Sequence, residues 1–155
     1  MPGPTHSFTI RSDKVLRILA TKAKVSPAFD PLAREAHPSF FEFAAVWDTG
    51  STGSVISQKV VDTCRLRPIG MTKAQTAGGE RNCEVYLINL MLPNGVGFPR
   101  IHVTKMDLGP RTDLLIGMDI ITRGDLALTH KDGKTCFTFQ CPSSEDIDFT
   151  RSSHS

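Results

Sequence analysis

At 155 residues, with ten prolines and twelve glycines, the chain suits one domain that buries roughly 70% of its extended surface, and the frequent breakers favour short strands over long helices. A formal net charge of +2 with no dense Lys/Arg block argues against nucleic-acid and membrane partners. No stretch approaches the ~18 apolar residues of a membrane-spanning helix.

Residues 1–14 read as a flexible N-terminal segment, residues 15–142 as the folded domain, and residues 143–155 as a polar, disordered tail. Within residues 8–25, Val15, Leu16, Ile18 and Leu19 fit a helical face, while Leu16, Ile18 and Ala20 alternate as in a strand. A strand over residues 15–25 is the preferred reading. Arg11, Lys14, Arg17, Lys22 and Lys24 in this stretch read as a solvated face. Three prolines make residues 27–38 a loop. The aromatic residues 39–47 predict a strand, and residues 52–57 a second one. Residues 57–64 predict a short helix capped by Ser57, with Val60 and Val61 inward. Residues 72–76 and 83–92 are extended, joined by a hairpin tip at Ala77-Gly78-Gly79-Glu80. After the Pro93-Asn94-Gly95 turn come strands at 98–106 and 114–116 and a short helix over 118–123, stopped at Gly124. Residues 125–129 and 135–140 form a closing hairpin around Lys131-Asp132-Gly133-Lys134, with Phe137 and Phe139 on one face.

The strand over 39–47 ends in Asp48-Thr49-Gly50-Ser51. Alone this tetrad is weak evidence, because Asp and Gly are ordinary turn residues and a turn Asp hydrogen-bonds its own loop. A carboxylate at a strand-to-turn junction beside a glycine is also what acid-base hydrolysis requires. The tetrad gains weight from Leu115-Ile116-Gly117 downstream, an apolar strand ending in glycine, which by itself reads as a buried strand with a close backbone contact. Scattered His37, His102 and His130 lack ligand spacing, so no metal is expected, and no Gly-x-Ser-x-Gly elbow surrounds Ser51 or Ser54.

Taken in order, Asp48-Thr49-Gly50-Ser51, the glycine hairpin at Gly78-Gly79, and Leu115-Ile116-Gly117 resemble a retropepsin-like aspartic peptidase subunit, most like bacterial members. The resemblance implies a mainly β fold, a closed retropepsin-like (acid protease) barrel of a single lobe with one or two short helices. It implies an aspartic endopeptidase without cofactor that cleaves extended peptide or protein segments, with Asp48 supplied twice by a homodimer. One Asp-Thr-Gly in one small lobe gives half a dyad, which agrees. Thr49 would hydrogen-bond across the dimer axis, Gly50 would let its N–H approach the carboxylates, and Ser51 would donate to Asp48. Viral members usually carry Ala at that last position, so Ser51 departs from them. Thr76, Ala77, Gly78, Gly79 and Glu80 would form a flap whose two glycines take positive φ. Leu115, Ile116 and Gly117 form the structural glycine motif. Val46, Trp47 and Ile116 are candidate pocket residues, although Trp47 suits the core or an interface better. Asp119 and Asp125 sit near helix ends in structural roles. The rival reading is a silent peptide-binding or dimerisation module of the same fold. A third reading, left open by the sequence, is a zymogen that removes its first ~40 residues, long for this family's N-terminus, by self-cleavage. With no signal-peptide pattern, Cys64, Cys83, Cys136 and Cys141 read as reduced thiols of a cytoplasmic protein.

Overall fold

The computed structural model describes residues 5–151. Ten strands and two short helices follow one another: β1 (His6–Ser12), β2 (Ala20–Pro27), β3 (Phe41–Trp47), β4 (Val55–Ile56), α1 (Gln58–Cys64), β5 (Gly70–Thr76), β6 (Gly79–Met91), β7 (Gly97–Lys105), β8 (Leu114–Ile116), α2 (Met118–Ile121), β9 (Asp125–Thr129) and β10 (Thr135–Cys141). The larger sheet runs β2-β3-β8-β4-β7-β6-β5, and β2 also pairs with β6, so the pairing returns to its starting strand. A second sheet of three strands has the order β1-β10-β9. Among the described residues, no helix is long and apolar enough to cross a membrane.

Period-2 burial explains the strands. In β2, Thr21, Ala23 and Val25 are buried while Lys22 and Lys24 are exposed, so these lysines occupy the solvated face their sequence predicts. In β10, Phe137 and Phe139 share the buried face. They meet Phe8 of β1 and Trp47 at ring-centroid separations of 5.0–6.2 Å, in the tilted and edge-on arrangements that aromatic quadrupoles favour. This cluster welds the three-stranded sheet to the end of β3. The Trp47 indole N–H also donates to Thr21 Oγ1 at 3.0 Å, which satisfies its one polar atom.

Expectations about both ends of the chain are corrected here. The segment 1–14 is not wholly flexible: β1 pairs with β10 along its whole length, from His6↔Cys141 to Ser12↔Thr135, because Phe8 and Ile10 alternate towards the aromatic core. The strand expected at 15–25 begins at Ala20 and runs to Pro27. Loss of the first ~40 residues would remove both β1 and β2, with buried Ala23 and Val25, so those strands are integral to the fold. The polar tail expected to be disordered is tied down at its start, where Ser143 Oγ and the N–H groups of Ser144 and Glu145 donate to Asp125. Residues 152–155 of that tail, and 1–4 at the other end, lie outside the described residues.

The helix expected after Ser57 is present, with Val60 and Val61 buried. Ser57 caps it through the backbone only. Its carbonyl accepts from Val61 N–H at 3.3 Å, while its Oγ is buried and makes no hydrogen bond among the described residues. All four cysteines are free thiols. Burial pushes the Cys64 thiol up to about 11, which makes it inert at neutral pH.

Candidate active site

The loop over residues 48–54 leaves β3 and enters β4, and one strand clamps both ends. β8 pairs in parallel with β3, Trp47 opposite Ile116, and antiparallel with β4, Val55 opposite Leu115. Leu114 and Ile116 are fully buried, while Leu115, between them, is half-buried and faces a cleft. Strand parity thus sends alternate residues of one apolar run to opposite sides.

Within the loop, Asp48 N–H donates to Ile116 O at 2.9 Å and Ser51 N–H to Asp48 O at 3.2 Å. Gly50 N–H donates to Asp48 Oδ1 at 2.8 Å, so one carboxylate oxygen is fixed while the half-buried side chain still borders the cleft. Ser51 departs from expectation. Its Oγ donates to Gly53 O at 2.7 Å rather than to Asp48, because the loop folds back and brings that carbonyl closer. Thr49 is exposed at the loop apex, as is Gly50.

Gly117 lies directly beneath this loop. A Cβ there would stand 2.5 Å from Gly53 O and 2.9 Å from Ser51 O, closer than any carbon can approach an oxygen without displacing backbone. The lack of a side chain lets Met118 N–H reach Ser51 O at 2.8 Å and Gly117 N–H reach Ser54 Oγ at 3.1 Å. Ser54 Oγ also contacts Asp119 Oδ1 at 2.8 Å. Asp119 is therefore bonded to the loop, and Asp125 to the tail, both in line with the structural roles read from the sequence.

Over the loop lies a cleft of about 760 Å³. Asp48, Gly50, Ser51 and Leu115 line it together with residues 72–76 of β5. β5 and β6 form a hairpin with Thr76 opposite Gly79. Thr76 Oγ1 donates to Gly79 O at 2.8 Å and accepts from Gly78 N–H at 3.2 Å, which knots the turn. Lys73 and Glu80 pair across the hairpin at 3.0 Å with both side chains exposed, a contact of little stabilising weight. Gly79 takes φ +102° as expected of the tip, while Gly78 does not adopt positive φ. Thr76 borders the cleft, but Ala77, Gly78, Gly79 and Glu80 do not.

The pocket candidates divide. Trp47 is 6% exposed inside the aromatic cluster and Ile116 is fully buried, so neither borders the cleft, nor does Val46. Trp47 and Ile116 hold inward positions of the paired β3–β8 register, which the core claims, while Val46 is half-buried opposite Leu115 on the other face. Sequence reading missed the opposite wall: Val85 of β6, His102 and Thr104 of β7, and Met106 and Leu108 in the loop after β7. The alternation of His102 and Thr104 along a strand was the available signal. A second cleft of about 740 Å³ adjoins the first, sharing Thr76, Met106 and Leu108. Among the described residues, no group of three or more His, Cys, Asp or Glu side chains converges as metal ligands would.

Comparison with known proteins bears on this arrangement. The family model described as aspartyl protease matches residues 42–120, half of the chain, which includes the Asp48 loop, the β5–β6 hairpin and the Leu115-Ile116-Gly117 segment. No curated protein matches significantly. Among solved structures, a retropepsin-like aspartic protease from Rickettsia conorii superimposes with a TM-score of 0.52 at 13% identity, covering 89% of this chain and 94% of its own. At that identity the likeness concerns the fold. The EIAV protease complexed with the inhibitor HBY-793 matches with a TM-score of 0.49 and 15% identity over 71% of this chain and 90% of its own. The retroviral protease-like domain of Ddi1 from Leishmania major gives 0.40 and 15% over 75% and 91%. A mainly β fold of retropepsin-like form with two short helices, an Asp-Thr-Gly loop clamped by a glycine-ended strand, and the family match lead to one conclusion: the chain belongs to the aspartyl protease family.

Proposed function

We propose that the chain is an aspartic endopeptidase that works as a homodimer and cleaves extended peptide segments. The observation that carries this reading is the Asp48 carboxylate, held by Gly50 N–H at the border of an open cleft, with one such carboxylate per chain. Two copies related by a two-fold axis would bring two Asp48 side chains together, and Thr49, exposed at the loop apex, is available to bond across that axis.

Two adjacent carboxylates share one proton, because both cannot ionise cheaply at short range. The ionised Asp48 takes a proton from a bound water, whose oxygen attacks the scissile carbonyl carbon. The protonated Asp48 of the other copy gives its proton to the carbonyl oxygen. On collapse of the resulting gem-diol, one hydroxyl proton passes to the ionised carboxylate while the carboxyl that took the water's proton gives it to the departing amine, so the pair again holds one shared proton. The apparent acidities belong to the pair. The β5–β6 hairpin would act as a flap, closing over a substrate laid as an added strand and excluding water. Apolar Val55, Val85, Met106, Leu108 and Leu115 in the cleft wall suit apolar side chains beside the scissile bond.

The test compares wild type and Asp48→Asn on a mixed peptide library from pH 3 to pH 8, read by mass spectrometry. Cleavage by wild type alone, strongest at acidic pH, is expected. Equal cleavage by both proteins points to another nucleophile. Silence from both, in samples shown to be dimeric, favours a peptide-binding module.

A further inference from the structure

We infer that Asp119 is a positioning residue for Asp48, acting through the Ser54 hydroxyl. This rests on the peptidase reading above. Ser54 is 1% exposed, and its Oγ lies 2.8 Å from Asp119 Oδ1 and 3.1 Å from Gly117 N. A carboxylate only accepts hydrogen bonds, so the Ser54 O–H donates to Asp119, which leaves an oxygen lone pair for Gly117 N–H. Asp119 thereby sets the direction of the whole relay. Without an acceptor at that position, the hydroxyl hydrogen competes for the space that the Gly117 N–H occupies.

The relay fixes the exit of the Asp48 loop to the start of α2, where Met118 N–H holds Ser51 O. Ser51 in turn bonds Asp48 O through its own N–H, and Asp48 N–H bonds Ile116 O. Movement of Ser54 relative to Gly117 is thus carried through Ser51 to the Asp48 backbone. Asp119 itself does not border the cleft, and neither do Gly117 and Met118. Of the relay, Ser54 alone borders the cleft, and its hydroxyl is turned to Asp119, so the effect of Asp119 falls on the placement of Asp48 more than on the apolar walls formed by Val55, Val85, Met106, Leu108 and Leu115.

The experiment uses the full chain and a peptide found by the library screen, with Asp119→Leu, Asp119→Asn and Ser54→Ala compared for kcat, KM, dimer content and amide exchange at residues 117 and 118. Asp119→Leu keeps the branched shape, with bulkier methyl ends, and removes the acceptor. Its kcat is expected to fall on the order of 100-fold, the loss that a displacement of about 1 Å produces, with KM within a few-fold of wild type and faster exchange at both amides. Asp119→Asn keeps an acceptor oxygen and is expected to recover most of that loss. Ser54→Ala should reproduce the Leu phenotype, and it carries the test should Asp119→Leu not fold. A folded, dimeric Asp119→Leu with wild-type kcat overturns the inference, as does an Asn variant as impaired as the Leu variant, or a loss confined to KM. Should wild type cleave nothing, the peptidase reading fails, and exchange decides the relay alone: faster exchange supports it and unchanged exchange overturns it.

Discussion

Gly117, under the Asp48 loop, and Gly79, at the turn of the β5–β6 hairpin, both lie near the cleft without bordering it and do opposite work. A Cβ on Gly117 would lie 2.5 Å from Gly53 O, whereas one on Gly79 would meet nothing within 4 Å. The first glycine permits close packing; the second permits φ +102° in open space. Around Gly117 are buried strands, two clamped loop ends and a hydrogen-bonded relay. Around Gly79 are exposed side chains, a hairpin with solvent on its outer face, and an ion pair between exposed groups. Few buried apolar contacts and solvent-exposed backbone bonds mark a segment that opens easily. The contrast teaches that the loop beside the cleft is locked by its neighbours while the hairpin turn is held by little beyond its own bonds, which suits the flap role proposed for it.

The sharpest way to break this contrast is Gly117→Ala. The methyl group forces backbone apart on the locked side, so a loss of about 1–3 kcal/mol or more and abolished cleavage are expected, read by thermal denaturation and peptide assay. Gly53→Ala is its control, because a Cβ there meets nothing within 4 Å, and its melting temperature should stay near wild type. Next in size is Gly79→Ala at the hairpin turn. Positive φ costs a side-chain-bearing residue about 1–2 kcal/mol, but the strain stays local to the turn. The expected result is a several-fold lower kcat/KM with a melting temperature within a few degrees of wild type, and a melting temperature that falls as far as that of Gly117→Ala would remove the distinction.

A smaller effect sits beyond the locked loop. Gln140, Ser143 and the N–H groups of Ser144 and Glu145 hold the Asp125 carboxyl well below the usual carboxylate range. The folded-state acidity lies below the unfolded value of about 3.9, so these bonds add stability above that pH and lose it as the solution is acidified further. Asp125→Asn should therefore melt a few degrees lower than wild type at pH 7, with the gap closing below about pH 4. A gap that widens on acidification contradicts the assignment. Smallest of all is Ser57→Ala. A working Ser N-cap is worth about 1 kcal/mol, but Ser57 makes no such bond, so the change should stay within about 0.5 kcal/mol.

The locked side was the more legible in sequence. Asp48-Thr49-Gly50 and Leu115-Ile116-Gly117 carry residue types that only a few backbone geometries need, and the closing hairpin announces itself by Phe137 and Phe139 around Asp132-Gly133. What stayed hidden depends on partners far along the chain. β1 is short and its paired strand lies more than a hundred residues away, for example Thr9 opposite Thr138, so local periodicity alone could not distinguish it from a loose terminus. The run 114–116 is apolar throughout, so its composition does not reveal that Leu115 faces the cleft while its neighbours face the core. Ser51 and Ser57 suggest side-chain bonds by their type, but the Ser51 hydroxyl donates to the loop carbonyl of Gly53, and Ser57 serves Val61 N–H through its backbone carbonyl alone. The far wall, with His102, Thr104, Met106 and Leu108, has no motif of its own and becomes visible only when β7 is laid against β6.

The central claim is that two Asp48 carboxylates, one from each copy, make a single site. Mixing wild type with Asp48→Asn at a fixed total concentration, after exchange of subunits, tests it directly. If every active species needs two intact copies, activity falls with the square of the wild-type fraction, to about a quarter in an equal mixture. A linear fall, to about half, would mean that each chain works with its own Asp48 and would contradict the account.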